Sequence, residues 1–248
     1  MPLPIALLAL VANLMPAVSG ASLACLVLAD GDGLHHQGSM PAWDDRLALS
    51  LLVLVLAALV AAGIAPHDRG IFALEVVPWV VLLGIVVAIH RRFPLTPLSH
   101  VASAGLCILF VVGAHYTYTR VPGGLWLRDA LGLERNPYDR IVHFAGGFVA
   151  GLIVREALLR RTRLVRGWRT LFLVSLVCLA GGALYEILEW WIAVLARRNA
   201  SQFLAMQGDQ WDTQWDMLLA LLGATLAQVS LGRLQDRQMR IRGLKREA

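Results

Sequence analysis

The chain has 248 residues, 58% of them apolar and 16% charged, with a formal net charge of +5. With a mean hydropathy of +0.64, this composition excludes an ordinary soluble domain and leaves a polytopic helical membrane protein. The positive charge rests almost wholly on arginine, Lys245 being the only lysine; without an aromatic-interleaved basic patch it reports topology and excludes a nucleic-acid partner.

Apolar runs of about twenty residues match the length a helix needs to cross a bilayer core. They predict an all-α transmembrane bundle of about seven spans, six if the first run does not cross. That first run covers Pro4 to Ala29, broken by Pro16 and Gly20, and lacks the basic n-region of a signal peptide. The segment Asp30 to Arg46 follows. Its His35 and His36, with Asp30 and Asp32, read as a metal site or as a flexible polar loop. Residues 1–46 are therefore set apart from a membrane domain, 47–232, and a basic tail, 233–248.

The second span runs from Leu47 to Ile64 and the third from Ile71 to Ile89. The third carries Glu75 near its start, either snorkelling to the interface or buried beside a partner. The fourth span, Leu98 to Tyr118, ends in the interfacial aromatics of GAHYTYT. A longer loop, Arg120 to Pro137, holds Arg120, Arg128 and Arg135. The fifth span opens with YDRIVHFAGG and reaches Leu159; its inner Arg155 and Glu156 read as a snorkelling charge pair. The sixth, Leu171 to Val194, contains YEILEWW, and the seventh, Asp212 to Leu231, begins in QGDQWDTQWDM. Cys25, Cys107 and Cys178 sit in separate runs without metal spacing, as small core residues. Gly146, Gly147, Gly151, Gly181 and Gly182 are read as sites of close helix packing.

More than half of the 22 basic residues fall in the loops after spans three and five and in the tail, all on one side. The positive-inside rule makes that side, and the C-terminus, cytoplasmic. The starts of spans five and seven and the end of span six then face outward. Asp139, Arg140 and His143 approach from one helix, Glu186 and Glu189 from a second, and Asp209, Asp212 and Asp216 from a third. Spacings of three and four place each set on one helix face. Trp190, Trp191, Trp211 and Trp215 mark the outer interface, with Glu186 about 5 Å deeper than Glu189.

Carboxylates at such a depth need compensation by cations, hydrogen bonds or water. Asp139, His143, Glu186, Glu189, Asp209, Asp212 and Asp216 are the candidate metal ligands. Carboxylate ligation favours Mg, Mn or Ca, and His143 admits Zn or Fe. A metal there would activate water or polarise a phosphoryl group on a lipid-linked substrate. His143 would act as general acid or base, and Arg140 with Arg120 or Arg135 would neutralise phosphate. Two other readings stand beside this one: a cation or proton transporter, and a structural or envelope-stress protein with the cluster as internal glue.

RNPYDRIVHFAGG, REALLR, YEILEWW and QGDQWDTQWDM occur in this order, preceded by PHDRGIFALEVVPW and GAHYTYTRVP. In these motifs the chain resembles the YjdF-like family of bacterial inner-membrane proteins, from Pro66 to Leu231. The opening Asp139 to Phe144 is also distantly similar to that of VanZ-like membrane proteins. The resemblance implies an inner-membrane location and weight on these motifs; the family has no established activity and supplies no reaction.

Overall fold

The computed structural model describes residues 42–196 and 207–244. The first predicted span, the polar segment with His35 and His36, and Cys25 lie outside the described residues. What is described is helical, with no strand among it: α1 (Ala42–Gly63), α2 (Arg69–Ile89), α3 (Pro97–Tyr116), a 3-10 turn (Tyr118–Arg120), α4 (Pro122–Leu131), α5 (Tyr138–Arg161), α6 (Trp168–Ala196) and α7 (Asp212–Ile241). All of these except α4 and the 3-10 turn are long and apolar enough to cross a membrane, six helices in total. They coincide with the second to seventh predicted spans.

Local chemistry sets the helix starts. Asp68 caps α2 by accepting from the Gly70 and Ile71 amides at 2.7 and 3.0 Å. Thr96 precedes Pro97, whose fixed φ suits a first helical position. The helices run up and down. The His67 amide donates to the His115 carbonyl at 2.8 Å, which brings the α1–α2 turn to the end of α3. His90 lies 3.3 Å from Asp45, which brings the end of α2 to the start of α1.

The bundle is built on α5 and α7. Gly147 meets the backbone of Ala220, and Gly223 meets the Phe144 carbonyl. A Cβ on Gly151 would stand 2.8 Å from the Ala224 Cα. The two backbones touch with no side-chain layer between them, as small residues permit where lipid supplies no hydrophobic drive. Of the other glycines read as packing sites, Gly182 only approaches Ala220, while Gly146 and Gly181 have nothing within 4 Å. Helix α6 adds Val174 and Cys178 against Ala224. Helix α3 lays Phe110 over Tyr138 and Val142 of α5. Helices α1 and α2 are peripheral, with large exposed apolar residues such as Val53 and Val60. Cys107 and Cys178 are free thiols.

Two readings of the chain change here. The segment read as a plain loop contains α4, started by Pro122 and ended by Gly132 at φ 64°. Two glycines in its first turn hide that helix from propensity reasoning. Glu156 and Arg155 are not a snorkelling pair. Glu156 is wholly buried and accepts from the Thr96 amide and hydroxyl, both at 2.9 Å, from Ser99 Oγ at 2.8 Å and from Arg160 Nη1 at 2.9 Å. Arg155 turns instead to Gln235 and Asp236 on α7, at 2.9 and 2.7 Å. Glu156 thereby extends the α3 N-cap and ties α3, α5 and α7 at one end. At that end, too, α7 continues unbroken through Arg233, Arg237 and Arg240, so the basic segment begins as helix.

Candidate functional site

The opposite end gathers the acidic motifs. Asn136 organises the approach to it. Its Nδ2 donates to the Thr119 and Val121 carbonyls at 3.1 and 3.2 Å, and its Oδ1 accepts from the Tyr138 amide at 3.0 Å. These bonds fix the start of α5 and hence the direction of Arg135, Asp139, Arg140 and His143.

Arg135 is buried and bonds Asp212 through Nη1; Asp139 and Asp209 each lie 3.8 Å from its guanidinium. Arg140 is half-buried, bonds Asp209, and lies 5.5 Å from the centre of the Trp215 ring. Deeper in, His143 stands between two carboxylates. Its Nε2 is 3.7 Å from Asp139 Oδ1 and its Nδ1 is 3.7 Å from Glu186 Oε1. Asp139, His143 and Asp216 form one group, and His143, Glu186 and Glu189 another. Within each group one ligand atom per residue lies within 4.8 Å of the others. Asp139, Glu186, Asp212 and Asp216 are all at most 8% exposed. Carboxylates from three helices thus come together around His143.

Burial at this level makes each charge dependent on a partner. Arg135 and Arg140 serve Asp209, Asp212 and Asp139. On the far side of His143 the partners are hydroxyls, Thr213 for Glu186 and Tyr185 for Glu189. Among the described residues three buried carboxylate oxygens, Glu186 Oε1, Asp216 Oδ1 and Glu75 Oε2, have no hydrogen-bond partner.

Glu75 is the residue that sequence reasoning left undecided. From α2 it comes within electrostatic reach of Asp139, Tyr118 and Tyr185. Its place in an otherwise apolar run was the available signal. Tyr118, in the 3-10 turn, and Tyr185 were missed as site residues. Tyr185 packs edge-on against His143, with ring centres 5.8 Å apart. Burial first, and then Glu75, hold the Tyr118 phenol well above its ordinary pKa, so it stays a hydrogen-bond donor.

Two predicted arginines stay outside. Arg120 is exposed and has no ion partner among the described residues. Arg128 pairs with its neighbour Asp129. Trp190, Trp191, Trp211 and Trp215 are between 46% and 58% exposed.

Residues 47–237 match the family described as a predicted membrane protein (DUF2238). The chain is also similar to inner membrane protein YjdF of Escherichia coli (strain K12), 44% identical over 199 residues. That alignment covers 80% of this chain and 94% of the relative. No solved structure matched. The family match begins at residue 47 and takes in Asp139, His143, Glu186, Glu189, Asp209, Asp212 and Asp216. The chain belongs to the DUF2238 family of membrane proteins.

Proposed function

We propose that this protein is a divalent-metal-dependent membrane enzyme that hydrolyses or transfers a phosphoryl group of a lipid-linked substrate at the outer face of a bacterial inner membrane. The observation that carries the reading is the pair of buried, unpartnered oxygens, Glu186 Oε1 and Asp216 Oδ1, beside His143. An acidic cluster alone would be weak support. Buried carboxylate oxygens directed at a shared imidazole need a cation or a proton, and a mixed oxygen and nitrogen set suits Mg, Mn, Ca or Zn. Such an ion supplies an activated water and polarises a phosphoryl oxygen. Arg140, half-buried beside Asp209 and Trp215, is the group able to meet phosphate oxygens.

Arginine placement supports the outward orientation. Arg163, Arg166, Arg169, Arg233, Arg237 and Arg240 crowd the end opposite the pocket, which the positive-inside rule assigns to the cytoplasm. The exposed tryptophans near the cluster support a site at headgroup depth, within reach of a lipid-borne phosphate. The test is metal analysis and calorimetry on the purified protein, with phosphate release from vesicles carrying a polyprenyl diphosphate. Metal-dependent release that disappears in His143→Ala is the expected result; a protein that binds no divalent ion removes the basis of the proposal. Thiol labelling settles the orientation, using a cysteine at Trp126 or Val165 in a background without the native cysteines. Labelling of the Val165 position from outside reverses it.

A cation or proton transporter ranks second. Between the pocket and the Glu156 network lies the seam of Gly147, Ala220, Gly151 and Ala224, which has no titratable side chain. Beyond it Ser175, Thr225 and Gln228 offer only neutral hydrogen-bonding groups. Ion flux in proteoliposomes that vanishes in Glu186→Gln would restore this reading.

A further inference from the structure

The ligand groups of the pocket overlap at one residue, and that overlap limits what can bind. A neutral imidazole has one acceptor nitrogen and one N–H. His143 can therefore ligate a cation on one side while it donates a hydrogen bond on the other. The two sides of the ring differ in charge.

On the Nε2 side stands Asp139, with Arg135 beside it and Asp212 and Asp209 on the far side of that guanidinium. Arg135 lies 3.8 Å from Asp139 and bonds Asp212 directly. A cation placed there would face a fixed guanidinium in a poorly screened site. On the Nδ1 side stands Glu186, with Glu189 in the same ligand group, and among the described residues no guanidinium pairs with either. Glu186 Oε1, which has no hydrogen-bond partner among the described residues, belongs to this side.

We propose that one divalent cation binds on the Nδ1 side of His143, held by His143, Glu186 and Glu189, and that Asp139, clamped by Arg135, takes the Nε2–H and positions the ring. This rests on the metal-dependent reading above and sharpens it. Asp139 and Arg135 become positioning residues: a ligating histidine donates its second nitrogen to a carboxylate, which fixes tautomer and orientation.

Mn(II) is the probe, added to the full-length protein in detergent. Pulsed electron paramagnetic resonance is recorded on two samples, one with 15N at histidine Nδ1 and one with 15N at Nε2. Direct coupling to Nδ1 is expected, at one Mn(II) per chain. Calorimetry is expected to show at least a hundredfold weaker binding in Glu186→Gln and Glu189→Gln. Asp139→Asn should cost about ten- to a hundredfold, the range for partners behind a ligand, with the nitrogen coupling retained. Coupling to Nε2, or two Mn(II) per chain, overturns the assignment while leaving a metal-dependent protein. No Mn(II) binding at all overturns the metal reading itself. The labelling comparison uses the unmutated protein, so it decides the matter even where a variant fails to fold.

Discussion

Gln207 completes a reciprocal pair with the backbone of Asn136: its Oε1 accepts from the Asn136 amide at 2.9 Å, and its Nε2 donates to the Asn136 carbonyl at 3.0 Å. A side-chain amide here does what a neighbouring strand would do. It joins the segment before α5 to the segment before α7, so both acidic walls of the pocket start from one fixed point. Asn136→Ala leaves the Thr119 and Val121 carbonyls and the Tyr138 amide without partners. About 1–3 kcal/mol of stability is lost for each group left buried and unsatisfied, read as a lower unfolding midpoint. Gln207 has φ 49°, a left-handed conformation. Gln207→Gly is therefore expected to be about 1–2 kcal/mol less damaging than Gln207→Ala, because glycine carries no steric penalty there. Equal midpoints for the two would refute the strain argument.

The α5–α7 seam predicts a sharp contrast among glycines. Gly147→Val and Gly223→Val drive a side chain into backbone and should abolish a monodisperse protein in detergent. A Cβ on Gly146 or Gly181 meets nothing within 4 Å, so Gly146→Ala and Gly181→Ala should purify like the parent. Size-exclusion profiles of the four variants check it.

Glu156 should behave as a buried hub. Glu156→Leu strands Arg160 and the α3 cap, at a cost of about 3–5 kcal/mol. The double variant Glu156→Leu with Arg160→Leu should recover part of that loss, since no charge is left unpaired. Thermal unfolding followed by circular dichroism measures both. A double variant worse than the sum of the singles would contradict the pairing.

Arg135 and Arg128 separate a buried ion pair from an exposed one. A double-mutant cycle of Arg135→Met with Asp212→Asn should give a coupling of about 1–3 kcal/mol, because the groups share one network. Arg128→Ala removes only an exposed contact with Asp129 and should stay within about 0.5 kcal/mol of the parent. Denaturation midpoints of the variants decide it.

The spans were legible because twenty apolar residues admit few structures in lipid, and the pocket was legible because Asp139, Glu186 and Asp216 interrupt such runs at matching depths. What stayed hidden depends on tertiary partners. Glu75 and Glu156 are both glutamates within a few residues of an apolar run's end. Nothing local tells a carboxylate that reaches for water from one that receives five donors across α3, α5 and α7. Helix α4 stayed hidden because its glycines serve another purpose: Gly124 makes room for the Asn136 side chain.

The contact between α5 and α7 also has a kinematic consequence. With Gly147 on Ala220, Gly151 beside Ala224 and Gly223 on Phe144, there is no compressible layer to let one helix slide or roll on the other. Asp139, His143, Asp212 and Asp216 therefore move as parts of one rigid blade. If the pocket widens or narrows during a working cycle, the displaced walls must be α6, with Glu186 and Glu189, and α2, with Glu75. The blade is the anvil, and the glutamates are the jaw.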